Sequence, residues 1–248
     1  MSQTSKRAWI LTVIILIFIF SASIISSGCD RGSLQNPGEI FEDKELVIQG
    51  SDTLLEVSMY WVENFSKDNP SVNVSVTGGG SGTGIAALLN KTVDLATASR
   101  SIKDSEINTA KDKGIIIKEF IVAWDGISVV INNGNPVTEL SIEQVSKIYT
   151  GEITNWDEVG GEDGEILVTS RDSSSGTFGY FKKRVVQLDG TVKENNYTPE
   201  ALYLASNVSI REEVSINENA IGYIGLGYLD DSVKAVNIVG EDATESVK

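Results

Sequence analysis

Three features of the chain predict an α/β fold of two lobes, each a mostly parallel sheet flanked by helices. Short β-branched runs alternate with helix-like stretches from Glu45 onward, the pattern of parallel strands joined by helices. A long apolar run, Phe120 to Asn132, then breaks the alternation, and an extended segment of that length can leave one sheet and enter another. A second alternation follows through Ile166-Leu167-Val168 and the helix-like stretch Phe178 to Val186.

The chain opens with a segment outside this pattern. Lys6 and Arg7 precede the apolar stretch Ala8 to Ile25, and Ser26-Ser27-Gly28-Cys29 follows, the layout of a secretory signal ending at small residues. The stretch is also long enough to span a bilayer, so an uncleaved anchor competes with a cleaved signal. Cys29 is the only cysteine and cannot form an internal disulfide. Its place resembles the lipid-attachment site of bacterial lipoproteins, with Ser26 where those sites usually carry a Leu-like residue. Residues 1–28 are therefore expected to be a signal peptide, and 29–44, polar and turn-rich around Asn36-Pro37-Gly38, a flexible tether behind a lipidated Cys29.

Leu46-Val47-Ile48 reads as a strand leading into the loop Gly50-Ser51-Asp52-Thr53. Leu54, Leu55, Met59, Trp61, Val62 and Phe65 then fall near helical spacing, and Asn69-Pro70 ends that helix. Val72, Val74 and Val76 alternate as a strand that enters Thr77-Gly78-Gly79-Gly80-Ser81-Gly82-Thr83-Gly84 and an apolar helix, Ile85 to Leu89. Asp94 to Ala98 and Ile115 to Ile117 read as further strands, separated by a helix over Asp104 to Lys111. Ser141 has the place of an N-cap, and Ala220–Gly225 and Ala235–Val239 read as the last strands. The expected division is 45–124 with 218–248 as the first lobe and 125–217 as the second.

Charge and composition exclude several function classes. Removing Lys6 and Arg7 from the 20 basic residues leaves 18 against 35 acidic ones, a formal charge of −17, with no basic patch to bind nucleic acid. Histidine is absent, which removes the commonest general base and metal ligand. The acidic turn Gly161 to Glu165 lacks the spacing of a calcium loop, so neither metal nor cofactor is expected.

The positive chemistry lies in four loops that each follow a strand and precede a helix: Gly50–Thr53, Gly78–Thr83, Ser99–Ser101 and Arg171–Thr177. Arg171-Asp172-Ser173-Ser174-Ser175-Gly176-Thr177 places one guanidinium, four hydroxyls and a glycine before a helix start. Free amides at a helix N-terminus, short hydroxyl donors and a planar guanidinium together match a tetrahedral anion. Ordinary N-capping accounts for any single loop. Four at one topological position, two carrying an arginine, favour a binding site at the strand ends. The glycine run lacks the Lys of a P-loop and the distal acidic residue of a dinucleotide fingerprint, so a small oxyanion is preferred to a nucleotide.

Gly50-Ser51-Asp52-Thr53, Thr77–Gly84, Ala98-Ser99-Arg100, Glu139–Gln144, Ile148-Tyr149-Thr150-Gly151, Asn155-Trp156, Ser170–Thr177 and Ala220-Ile221-Gly222-Tyr223 together resemble the phosphate-binding proteins of bacterial ABC phosphate-uptake systems. The resemblance implies a type II periplasmic-binding-protein fold closing on inorganic phosphate. It also implies ABC permease and ATPase subunits as partners, no enzymatic activity, and a monomer held by a lipid anchor on the outer side of the cytoplasmic membrane. Carried over position by position, Arg171, Ser175, Gly176 and Thr177 match the family's phosphate loop. Ser81, with Gly82, matches its glycine-loop donor, and Thr53 with Ser51 and Asp52 its first loop. Arg100 stands where many members carry the aspartate that accepts the proton of hydrogen phosphate. The acceptor role is expected to pass to Asp52 or Asp125, with Arg100 adding charge. Family members continue past the last predicted strand, so the first lobe is expected to lack its final elements. A receptor for sulfate or molybdate, and a phosphate-sensing or surface protein without transport, remain alternatives.

Overall fold

The computed structural model describes residues 44–240. The expected signal segment, Cys29, nearly all of the expected tether and residues 241–248 lie outside the described residues. Among the described residues no helix is long and apolar enough to cross a membrane.

The first lobe is a three-stranded parallel sheet in the order β2-β1-β3, with β1 at Lys44–Gly50, β2 at Val72–Thr77 and β3 at Leu95–Thr97. Ile48 aligns with Val76 on one side and Leu95 on the other, so the three strands end together. Helices α1 (Leu55–Asp68) and α2 (Ser81–Leu89) make the crossovers, and α3 (Asp104–Asp112) follows β3. Ile85 and Leu89 of α2 pack with Ala110 of α3 over Ala96, Ala98, Ile115 and Ile117. The segment Ile115–Ile117 was expected to be a strand. It packs its first and third side chains in that cluster but pairs with no strand, and Ile116 is 97% exposed. Alternation that suits a pleat is here satisfied by packing alone. Helix α1 forms where its spacing predicts, yet Met59, Trp61 and Phe65 stay exposed and Ser58 is its only buried residue.

The second lobe is a five-stranded sheet in the order β7-β6-β8-β4-β9. Its strands are β4 (Ile127–Ile131), β6 (Leu167–Arg171), β7 (Leu202–Leu204), β8 (Ala220–Gly225) and β9 (Lys234–Ala235). A separate parallel pair joins β5 (Glu139–Ser141) to β10 (Asn237–Val239). Helix α4 (Ile142–Thr150) starts on a capping box: Gln144 N donates to Ser141 Oγ at 3.1 Å, and Ser141 N donates to Gln144 Oε1 at 2.8 Å. Helix α5 (Gly176–Phe181) runs on through a π-helical turn to Val186, and α6 (Asn207–Ile216) covers the opposite face.

Every residue of β8 is buried, as a central strand requires. Its side chains alternate between two cores. Ile221 and Tyr223 join Val129, Ile131, Tyr149, Trp156 and Phe181, whereas Ala220 and Ile224 join Val130, Ile210 and Val214. The strand pairing corrects the expected division of the chain. Residues 220–239 were placed with the first lobe, but β8 pairs with β4 and β6, β9 with β4, and β10 with β5. A uniformly apolar strand specifies a buried place without specifying which sheet supplies it.

A Cβ on Gly222 in β8 would lie 2.5 Å from Ile210 Cγ2 and 2.6 Å from Thr169 Oγ1, in front of α6. Gly222→Ala is therefore expected to lower unfolding free energy by about 2 kcal/mol through overpacking. Denaturant titration checks this, and a variant as stable as the parent would disprove the packing described.

Candidate functional site

The ends of β1, β2, β3 and β6 bring the four hydroxyl-rich loops together. Short turns stitch the first-lobe loops to one another. Gly80 N donates to Gly50 O at 2.9 Å, Ser51 N to Thr97 O at 2.9 Å, and Ser99 N to Ser81 Oγ at 3.0 Å. The fourth loop, 172–175, follows β6 of the other lobe and lies against them.

Arg171 is the centre of the cluster. Its side chain is 1% exposed, and its Nη2 donates to Asp52 Oδ2 at 2.7 Å and to Ala205 O at 2.8 Å. Asp52 Oδ1 accepts the Gly79 amide at 3.0 Å, and a side chain on Gly78 would run into that same oxygen. Arg171 Nε and Nη1 are buried and have no partner among the described residues, and neither does Ser51 Oγ. Buried donors are nearly always satisfied, so a guanidinium edge left open in this way marks the place of an absent acceptor.

Hydroxyls of the same loops meet one another. Thr53 Oγ1 and Thr177 Oγ1 are 3.1 Å apart across the lobes, and Ser81 Oγ and Ser99 Oγ are 3.3 Å apart. Ser81, Ser175 and Thr177 are all buried. Ser175 Oγ caps α5 by accepting Phe178 N at 3.3 Å and keeps its own proton for donation. A Cβ on Gly176 would lie 2.5 Å from both Ser81 Oγ and Ser99 Oγ, so the helix start approaches the first lobe only without a side chain there. Ser51, Asp52, Thr53, Ser81, Arg171, Ser175, Gly176 and Thr177 are thus brought into one cluster.

Two expected donors are directed elsewhere. The Gly82 amide donates to Ser174 O at 2.9 Å. The Arg100 guanidinium makes a two-pronged pair with Glu106, Nη1 to Oε2 at 2.9 Å and Nη2 to Oε1 at 2.7 Å, and Nη1 also reaches Ser101 O. Burial pushes the Glu106 carboxyl up, but the Arg100 pair and the Lys103 amide outweigh it and hold the group below its usual range. With its carboxyl depressed, the clamp is present at neutral pH and is lost only as pH falls through that lowered value. Arg100 therefore adds little field at the cleft. Asp125, the other proposed acceptor, is exposed and accepts its own neighbour's amide, Gly126 N, at 2.9 Å.

A layer that sequence reasoning did not single out supports the cluster. Tyr223 Oη accepts the Arg171 amide at 3.2 Å and lies 2.9 Å from Ser170 Oγ and 3.2 Å from Tyr197 Oη. Tyr197 Oη in turn donates to Phe178 O. Burial raises both tyrosine hydroxyls, so they stay neutral at any physiological pH. Tyr228 Oη donates to Asp52 O at 2.5 Å. Ser99, a residue of the third loop, lies in the same cluster through Ser81 and Gly176. The strand-end position of Ser99 was a usable signal, and Tyr223 lay in a stretch matched to the family, whereas no local pattern marks the role of Tyr197 or Tyr228.

Removing the Asp52 carboxylate leaves Arg171 buried without its counter-charge. Asp52→Ala is expected to lower the stability of the ligand-free protein by about 3 kcal/mol. Chemical denaturation measures this, and a loss within error of zero would mean that the pair is not formed.

The chain matches the model of the PBP superfamily domain over residues 35–248. The phosphate-binding protein PstS of Borreliella burgdorferi is 32% identical over 238 residues, 95% of this chain and 80% of that protein. A phosphate-binding protein PstS of Staphylococcus saprophyticus is also 32% identical, over 88% of this chain and 67% of its own length. Among solved structures, a phosphate ABC transporter substrate-binding protein from Clostridium perfringens with bound phosphate superposes with a TM-score of 0.71 at 35% identity, covering 81% of this chain and 78% of that one. An ABC-type phosphate transport receptor from Vibrio cholerae does so at 0.59 and 33% identity, over 80% and 78%. The mixed α/β architecture, the strand-end loops and this similarity converge: the chain belongs to the family of PstS phosphate-binding proteins, within the PBP superfamily, and has its type II periplasmic-binding-protein fold.

Proposed function

We propose that this protein binds inorganic phosphate between its two lobes and delivers it to the permease and ATPase subunits of an ABC uptake system. The observation that carries the reading is the open edge of Arg171: a buried guanidinium with Nε and Nη1 unpartnered, beside buried hydroxyls. The relatives named for phosphate binding support the same ligand.

In this reading Arg171 Nε and Nη1, Ser51, Thr53, Ser81, Ser99, Ser175, Thr177 and the first amides of α5 replace the hydration of the anion. Because Asp52 balances Arg171 and Glu106 balances Arg100, the dianion is held by dipoles and hydroxyls more than by net charge. Asp52 is the proton acceptor. Both its oxygens already accept one bond, and each keeps a second lone pair for the P–OH group. An oxyanion with no proton meets that carboxylate as a like charge. The protein acts as a monomeric receptor and not as an enzyme, since the hydroxyls of Ser173–Ser175 have no histidine to activate them. Cys29 carries the lipid that holds the mature chain on the outer face of the cytoplasmic membrane. The lobes meet in the stretch before β4, with residues 45–124 on one side and 125–240 on the other.

Calorimetric titration of the full-length protein with phosphate, arsenate, sulfate and molybdate tests the ligand. Phosphate is expected to bind and sulfate to bind far more weakly; folded protein that ignores phosphate would refute the assignment. Arg171→Lys, which replaces the planar fork and its two open donors Nε and Nη1 with a single compact ammonium, is expected to weaken phosphate binding about 100-fold. Asp52→Asn is expected to narrow the phosphate-to-sulfate ratio about tenfold, through loss of one charged hydrogen bond. An unchanged ratio would remove Asp52 as the discriminator.

A further inference from the structure

The glycine run was read as a cradle for the anion, but at two of its positions the space beside the backbone is filled by the opposite lobe. The three atoms nearest to a Cβ built on Gly80 all belong to Ser174, among them its carbonyl oxygen at 2.8 Å. The three nearest to a Cβ on Gly82 belong to Ser174 as well, with the carbonyl oxygen at 3.2 Å. The Gly82 amide donates to that carbonyl at 2.9 Å, and Ser174 Oγ lies 3.2 Å from Gly79 O with its one proton directed to Asp172. Gly80 also has φ +92°, a conformation that side chains disfavour.

Ser174 is held for this contact by its own lobe. Its amide and hydroxyl both donate to Asp172 Oδ1, at 2.7 and 2.5 Å, which turns its carbonyl toward the glycine run. It also directly precedes Ser175, Gly176 and Thr177, so whatever fixes Ser174 against the first lobe fixes the start of α5 against Ser81 and Ser99.

We propose that Ser174 and the backbone of Gly79–Gly82 form a closure seam: a positioning contact between the lobes that holds the cleft shut without touching the ligand. The inference rests on the phosphate-cleft reading above and deepens it. Affinity in a two-lobed receptor is the intrinsic affinity scaled by the fraction of molecules able to close. A seam made of protein–protein contacts raises that fraction and must be broken before the ligand leaves. It therefore acts on dissociation more than on association. Glycine is required at 80, where the other lobe's backbone lies within 3 Å of a Cβ and φ is +92°, whereas at 82 a Cβ would have to displace the Ser174 carbonyl by a few tenths of an ångström and a longer side chain would hold the lobes apart.

Gly82→Leu in the full-length protein tests the seam. The added side chain meets Ser174 only in the closed form. Stopped-flow kinetics and calorimetry are expected to show phosphate binding weakened about tenfold, through faster dissociation at an unchanged association rate. Without phosphate the variant should still unfold in one cooperative transition, at a midpoint lowered by no more than that of Asp52→Ala because opening also parts Arg171 from Asp52, and small-angle scattering should give a larger radius of gyration. A parental dissociation rate, or a loss confined to association, which would mean blocked entry, overturns the seam. Should the parent itself not bind phosphate, the ligand assignment fails separately, and equal radii of gyration for parent and variant would then overturn the seam. If Gly82→Leu does not fold, Gly82→Ala, whose Cβ presses on the Ser174 carbonyl alone, is measured by the same criteria with a smaller shift.

Discussion

The buried pair between Arg171 and Asp52 is the constraint around which the rest of the site is arranged. A guanidinium that is 1% exposed cannot stand without acceptors. One comes from the first lobe, Asp52 Oδ2, and one from the second, Ala205 O, both on Nη2. The rest of the fork is thereby held open in a fixed direction. Several otherwise unrelated details serve this arrangement. Gly78 has no side chain where Asp52 needs room, Gly79 donates its amide to the second carboxylate oxygen, and Tyr228 anchors the Asp52 carbonyl. A strongly acidic protein can hold an anion in this way because the recognition is local. Arg171 and Asp52 cancel, as do Arg100 and Glu106, and oriented donors remain.

Behind Arg171, the Ser170–Tyr223–Tyr197 chain of hydroxyls ties the end of β6 to β8 and to α5. Tyr223 stacks on Phe181 at 3.9 Å between ring centroids, and Tyr149 contacts both rings from the side. The loop 171–177 thus leaves the sheet from a rigid base, and preorganised donors lose little entropy when the ligand arrives. Arg171 and the start of α5 belong to the second lobe, and Ser51, Asp52, Thr53 and Ser81 to the first.

What the sequence revealed and what it hid divide by the range of the interaction. The four loops could be read directly because strand ends, hydroxyls and helix starts are local patterns, and the N-cap at Ser141 formed as its spacing required. The glycine run was misread in part. Its partner, Ser174, is about ninety residues away, and nothing near Gly82 says whether an amide faces a ligand or another lobe. Arg100 looked like a ligand because it ends a strand, but Glu106 claims its guanidinium through a chain path that is neither helical nor sheet-like. Residues 220–239 carried a clear strand signal and no sign of which sheet they would enter, since register and partner depend on β4 and β6 together. The apolar positions of α1 announced a buried stripe, yet Met59, Trp61 and Phe65 remain exposed, because periodicity predicts a helix and a face without providing the element that covers it.

The central claim is that an oxyanion completes Arg171. A crystal structure of the protein with phosphate tests it most directly. Phosphate oxygens within hydrogen-bonding distance of Arg171 Nε and Nη1 and of Ser51 Oγ, with the P–OH directed at Asp52, are the expected result. Phosphate bound elsewhere, with those three donors satisfied by other protein groups, would contradict it.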